Sequence, residues 1–329
     1  MKIGITGGAG FLGTKLAERL LAASALRIGG AEPVPLDELV LCDLVAPRPE
    51  LAADPRVRAV IGPLAETLAA LRDADAVFHL AGVVSSAAEA DLDLGLETNV
   101  DATRALLDVF RGRGSGGGAS APVLVFSSSL AVFGSDPAIG PIGPVDDDTL
   151  PRPQSSYGIE KFIAEQYVAE YARRGFVRGR SVRLMTVSVR PGRPNAAASS
   201  FLSGIIREPL AGERAACPVP PSTPVALSSP RRTIDGLLRA AEVSDAEWGS
   251  RTAMNLPALT TTPAEMVAAL ARVAGADAAA LVDWTHDPAV AAIVTSWPAQ
   301  FETARAAALG LAPEESFDDV IRAYLADLG

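Results

Sequence analysis

Lys2-Ile3-Gly4-Ile5-Thr6 runs straight into Gly7-Gly8-Ala9-Gly10-Phe11-Leu12-Gly13, and Leu16, Leu20 and Leu21 follow at helical spacing. A short apolar strand, a glycine turn and a helix in that order constrain the fold more than any other stretch. Gly7, Gly10 and Gly13 give a tight turn, a close backbone approach and a close helix-to-strand contact, while the helix N-terminus carries phosphate charge. A glycine triplet alone is common loop punctuation. With strand and helix on either side it predicts a dinucleotide site, with Phe11 and Leu12 inside the turn.

A second apolar run, Leu39-Val40-Leu41-Cys42-Asp43, ends in a carboxylate where the adenine ribose should lie. Asp43 there accepts from both ribose hydroxyls and repels a 2′-phosphate, which predicts NAD over NADP. The structural alternative for Asp43 is a strand-end turn residue, and Arg48 lies close enough to leave NADP open. Segment 31–36 is longer than the usual link and reads as a surface excursion.

Further strands are expected at Ala76–Gly82, Val123–Phe126 and from Ser181 to Leu184, with helices near Leu64–Arg72, Glu97–Phe110 and Ser156–Arg173. Continuous apolar strands between helices specify a parallel sheet covered on both faces. The expected fold is therefore α/β, a Rossmann-type doubly wound parallel sheet. Gly112–Ala121 reads as a flexible connection, and Asp146-Asp147-Asp148 as a solvated loop. From Pro191 the texture changes: Pro and Ser concentrate between Cys217 and Pro230. Amphipathic helices are then expected at Ala264–Ala274, Pro298–Leu309 and Glu314–Leu328. This divides the chain into a dinucleotide-binding domain, 1–190, and a smaller, mainly helical lobe, 191–329, interleaved with it.

At 329 residues and 49% hydrophobic, the chain can bury a large core. The formal charge of -10 without a basic stripe argues against nucleic acid and anionic membranes as partners, so the predicted partner is a small-molecule substrate. Cys42 and Cys217, far apart, suggest neither a disulfide framework nor a thiol metal site. Met1-Lys2-Ile3 leads directly into the fold, and no apolar run reaches bilayer length, so a cytoplasmic location is expected.

The chemistry is carried by Tyr157-Gly158-Ile159-Glu160-Lys161, with Ser127-Ser128-Ser129 ending an apolar run upstream. A phenol and an ammonium at i and i+4 share a helix face. The ammonium favours phenolate, whose proton otherwise leaves near pH 10. Ser129 can then hydrogen-bond a substrate oxygen while Tyr157 exchanges a proton with it, the equipment for interconverting alcohol and ketone.

Together Thr6 to Gly13, His79-Leu80-Ala81-Gly82, Ser127 to Ser129 running on to Val132-Phe133-Gly134, and Tyr157 with Lys161 resemble the extended short-chain dehydrogenase/reductase superfamily, of NAD-dependent epimerase/dehydratase type. Val84-Ser85, the run from Arg190 through Asn195 to Ser199, segment 206–210 and the tail from Ser296 to Ile321 resemble its D-erythronate dehydrogenase group. The resemblance implies Tyr157 as general base, Lys161 as its pKa-lowering partner and ribose ligand, and Ser129 as the group positioning substrate oxygen. It implies cofactor contacts at Leu64, Leu80, Ala81, Gly82, Ser127 and Asn99, and oxidation of a hydroxy acid such as erythronate at C2. It also implies a homodimer through the helices around Asn99 and Tyr157.

Ser85 and Asn195 follow strands and can face the cleft, and Arg207 and Arg231 are the cations considered for a substrate carboxylate. The alternative for both arginines is a solvated surface. The chain departs from the group at Pro63-Leu64, where an Asp-Leu pair is usual, at Met185, where proline is usual, and at Thr223 to Leu227, which lacks a histidine and a tryptophan. His79 reads as a packing residue beside the cofactor and His286 as a surface turn, so no metal site is expected. Two rival functions share these residues: a broad ketone or β-keto ester reductase, and a sugar-nucleotide epimerase. A dinucleotide-binding regulator would have lost Tyr157 and Lys161.

Overall fold

The computed structural model describes residues 1–113, 121–192 and 197–328. The Gly112–Ala121 connection falls mostly outside them, as does Asn195. Twelve strands are formed in these segments: β1 Lys2–Thr6, β2 Glu38–Asp43, β3 Val57–Ile61, β4 Ala76–His79, β5 Val123–Ser129, β6 Arg178–Leu184, β7 Thr186–Val187, β8 Ala215–Cys217, β9 Val225–Ser228, β10 Met254–Asn255, β11 Leu259–Thr261 and β12 Val282–Trp284.

Seven of them form one sheet in the order β10-β6-β5-β4-β1-β2-β3, every neighbouring pair parallel. The chain moves outward from β1 in one direction through β2 and β3, then returns to β4 on its other side. That reversal opens a crevice at the carboxyl ends of β1 and β4, where ligands of open α/β sheets bind. The central strands are apolar because both faces are covered: Ile3, Ile5, Leu39, Leu41, Phe78 and Val125 face one core, and Val40, Val77, Leu124 and Phe126 the other.

β6 starts at Arg178, three residues before the expected run, because its arginines conceal the strand. Arg180 donates to the Ala240 and Val243 carbonyls and to Asp245, and Arg183 forks onto Glu165. These contacts satisfy the buried charge while tying the strand to its flanking helices. β4 ends at His79, short of the expected Gly82.

The lobe after residue 190 returns to the main sheet. β10 extends that sheet beside β6, and the helix Pro230–Glu242 packs Ile234 and Leu237 into its core. A separate core, with Leu202, Ile206, Met266, Leu270 and Ile321, lies among the helices Phe201–Leu210, Pro263–Ala274 and Phe317–Ala326. β9 and β11 of the lobe join β7, which precedes it, in a three-stranded sheet, β11-β9-β7, and β12-β8 form a two-stranded one. Of the helix expected at Pro298–Leu309 only Ala304–Ala308 forms, while Pro288–Ser296 is helical with Asp287 capping its first amides. Asp147, expected in a solvated loop, accepts from the Arg305 amide at 2.9 Å. Among the described residues no helix is long and apolar enough to cross a membrane, and no cluster of His, Cys, Asp and Glu could hold a metal.

Candidate active site

A cavity of about 960 Å³ runs along the carboxyl ends of the central strands, from Asp43 at one end to Tyr157 and Arg190 at the other. Its floor is the glycine turn. Gly7 has φ +72°, and a Cβ there would meet the Ala81 amide nitrogen at 2.9 Å; a Cβ at Gly13 would run into the Gly7 carbonyl. Only glycine permits this approach of turn, helix and β4 end. Gly10 precedes the helix Phe11–Ala22 as its N-cap, so the first amides of that helix face the cavity, as a pyrophosphate requires.

Asp43, the last residue of β2, lines the cavity, and its carboxylate also holds the turn: Oδ2 accepts from the Ala9 amide at 2.9 Å and Oδ1 from the Leu44 amide at 2.7 Å. Gly62, Pro63, Leu64 and Ala65 close the cavity at the Asp43 end. Arg48 pairs with Glu18 and is not among the lining residues. Leu80, Ala81, Gly82, Ser85 and Ser127 complete the central wall. Asn99 stands behind that wall, its Oδ1 accepting from the Val83 amide at 3.0 Å.

The reactive end is built by two elements. β5 delivers Ser127 to Ser129, and the helix Ser156–Arg173 begins at once with Tyr157 because Ser155 caps it, its hydroxyl accepting from the Gly158 amide at 3.2 Å. The Ser129 hydroxyl accepts from the Ala131 amide at 3.2 Å and lies near enough to the Tyr157 phenol to favour its ionised form. Lys161 Nζ donates to the Ser127 carbonyl at 3.0 Å and stands 4.9 Å from the Phe126 ring centroid and 5.7 Å from that of Tyr157. Burial draws Lys161 down to about 8 against the opposing charges of Glu160 and Glu165. The Tyr157 phenol is raised by burial, while its Ser129 hydrogen bond and the Arg190 charge pull it down. Arg190 is thus a second cation acting on the phenol, beside Lys161, whose ammonium is held on the β5 carbonyl 5.7 Å from the ring centroid.

Arg190 belongs to a motif that gave it no role. It lines the cavity opposite Tyr157, its Nε donating to the Val187 carbonyl at 3.1 Å and its amide to Ser203 Oγ at 3.0 Å. Arg207, considered for that role, is engaged elsewhere: it pairs with Glu208 and donates to the Arg190 carbonyl at 2.7 Å. It braces the backbone of the arginine that faces the site. Arg231 is exposed at the first turn of Pro230–Glu242 and is not among the lining residues. Ser85, Met185, Thr186, Val187, Ser199 and Trp297 fill the remaining wall, so an indole from the C-terminal tail meets the region where residues 223–227 lack an aromatic. Arg190 was legible only as part of a motif, since its direction depends on the turn after β7.

His79 is buried between Thr6 Oγ1, 2.6 Å from Nδ1, and Thr103 Oγ1, 2.9 Å from Nε2. Burial and the Lys161 charge push it down to about 3, so it stays neutral and links β1, β4 and the helix Ala102–Arg111. His286 is exposed before the Asp287 cap.

A doubly wound sheet with a glycine-turn crevice, a terminal carboxylate and a serine, tyrosine and lysine set defines an NAD-dependent oxidoreductase of the short-chain dehydrogenase/reductase type. The chain belongs to the NAD dependent epimerase/dehydratase family, whose profile matches residues 3–225. It is 50% identical to a D-erythronate dehydrogenase of Cupriavidus necator, covering 100% of this chain and 99% of the relative. A D-erythronate dehydrogenase of Haemophilus influenzae is 39% identical, with 99% of each chain covered. Among solved structures, one described as a nucleoside-diphosphate-sugar epimerase from Agrobacterium tumefaciens superposes with a TM-score of 0.90 at 38% identity, covering 99% of this chain and 94% of that one.

Proposed function

We propose that this enzyme oxidises C2 of D-erythronate, or of a closely similar short hydroxy acid, with NAD. The observation that carries this reading is the placement of one cation, Arg190, opposite the Ser129–Tyr157 pair. A guanidinium there can hold a carboxylate bidentately while the adjacent C2 hydroxyl meets Tyr157. The two relatives described as D-erythronate dehydrogenases support it.

NAD, when bound, takes the hydride released from C2. Tyr157, as phenolate, accepts the hydroxyl proton as the C2 carbonyl forms, general-base help worth about 10²–10⁴ in rate. Ser129 would donate to the substrate oxygen, and Lys161, held at the Ser127 carbonyl, would hold the nicotinamide ribose. Asp43 selects NAD by its charge at the adenine ribose. Met185, Val187 and Trp297 exclude water from the reacting face.

A sugar-nucleotide epimerase would need cations for a diphosphate. Among the described lining residues the cations are Arg104, Lys161 and Arg190, and Arg104 lies on the helix that packs against Leu64–Thr67. That leaves a single cation at the substrate end, which fits a monocarboxylate. The test is NADH formation with four-carbon sugar acids, UDP-sugars and, in reverse, β-keto esters, for the enzyme and for Tyr157→Phe. Sugar acids should be the substrates, and the variant should lose turnover by about 10²-fold or more while binding NAD within a few-fold. Turnover of UDP-sugars alone, or an active Tyr157→Phe, rejects the reading.

We also read the exposed Leu92, Leu94 and Ile159 as part of a homodimer face. A cytoplasmic setting is in keeping with two buried, unpaired cysteines, and is checked by cell fractionation.

A further inference from the structure

The two carboxylates that act on Lys161 from its own helix differ in how their charge is matched. Glu165 receives Arg183 Nε at 2.9 Å and Nη2 at 2.8 Å, and Ser128 Oγ at 2.5 Å. Its charge is neutralised by that fork. Glu160 is 1% exposed and, among the described residues, forms no ion pair. Its Oε2 accepts from Asn99 Nδ2 at 2.7 Å, while Oε1 is buried without a hydrogen-bond partner. Gly95 makes room for it, since a Cβ there would collide with Oε1. Asn99 is held in turn to Val83, accepting from its amide at 3.0 Å and donating to its carbonyl at 3.3 Å. A buried carboxylate with half its hydrogen bonding unmet is costly to keep.

We propose that Glu160 is a positioning residue for the proton-transfer step: its carboxylate is the counter-charge that keeps Lys161 an ammonium, and the anchor that fixes Asn99 behind the cavity wall at Val83. This rests on the assignment of proton transfer to Tyr157 and Lys161. Burial drags Lys161 down, and Glu160 is the largest influence opposing it; the same negative charge raises the Tyr157 phenol. Other charged and titratable groups frame the pair. Arg190 faces Tyr157, and His79 stays neutral on β4. Glu89 accepts from the Ser156 amide, and Glu97 and Asp101 line the cavity from the π-helical turn Leu96–Asp101. Of these, Glu160 alone acts with one sign on both partners, so removing its charge lowers both pKa values together.

The test is Glu160→Gln, which keeps an oxygen for Asn99 and removes the charge, beside Glu160→Ala, which removes both. Tyr157 is titrated by its ultraviolet difference spectrum, with Tyr157→Phe as the blank, so no turnover is needed. In both variants the Tyr157 midpoint should fall by roughly one unit, the effect of one nearby charge at the effective dielectric of a protein. In the turnover profile both limbs should move to lower pH in parallel, and the Ala variant should also raise KM for NAD. A Tyr157 midpoint unmoved in both variants overturns the proposal, including when their turnover is reduced. An enzyme without activity on sugar acids rejects the substrate reading alone, because the spectroscopic titration still reports on Glu160.

Discussion

At Tyr157 opposing influences meet within one side chain's reach. Burial and the Glu160 charge favour the neutral phenol, while the Ser129 hydrogen bond and Arg190 favour the phenolate. Oxidation therefore speeds up as pH rises toward the phenol's raised pKa, and a second group sets that limb besides the base. Arg190→Met should raise KM for the hydroxy acid at least tenfold, from loss of a charged hydrogen bond worth about 1.5–3 kcal/mol. It should also move the alkaline rise of the profile to higher pH, because the phenolate loses a favourable charge. A KM and profile equal to those of the parent would remove Arg190 from the site. Tyr157 and Lys161 were legible as a pair because they lie one turn apart on one helix, whereas Ser129 was legible only as the end of an apolar run that the fold brings to the same cavity. Arg190 was not, since nothing in the run Arg190-Pro191-Gly192 says which way the chain turns after β7.

At the scale of elements, the end of β2 carries two duties. Asp43 holds the Ala9 amide of the glycine turn and lines the cavity at the end where the proposed reading puts the adenine ribose. Asp43→Ser should cut the preference for NAD over NADP by about tenfold or more, with part of the loss in NAD affinity from a loosened turn. Comparing kcat/KM with the two cofactors measures it, and an unchanged ratio excludes the side chain as the selector. Apolar runs marked β1, β2, β4 and β5 because both sheet faces are buried. Arg178, Arg180 and Arg183 break the apolar pattern of β6 and hide its start, and only the folded partners Asp245 and Glu165 make them tolerable there. The helix Pro288–Ser296 shows no helical period in the sequence because its run of Ala, Val and Ile has little polar face.

Across the whole molecule the lobe and the sheet are one construction. β10 extends the sheet and Pro230–Glu242 covers it, while Trp297 closes the cavity from the far end of the chain. The exposed faces at Leu92, Leu94 and Ile159 lie on the segments that carry the site, before Asn99 and beside Tyr157. Sedimentation equilibrium should show a dimer, and Ile159→Glu should shift it toward monomer by placing an unpaired charge in the contact; a parent chain that sediments as a monomer refutes the face. The glycine turn, the carboxylate ending β2 and the tyrosine and lysine pair can be read from the chain, since each lies within one element or across one turn. The tertiary structure alone decided that Arg190 faces Tyr157 while Arg207 braces it, and that Glu160 is buried beside Asn99. Those outcomes depend on which distant segments pack together, and side-chain direction and desolvation exist only once they have.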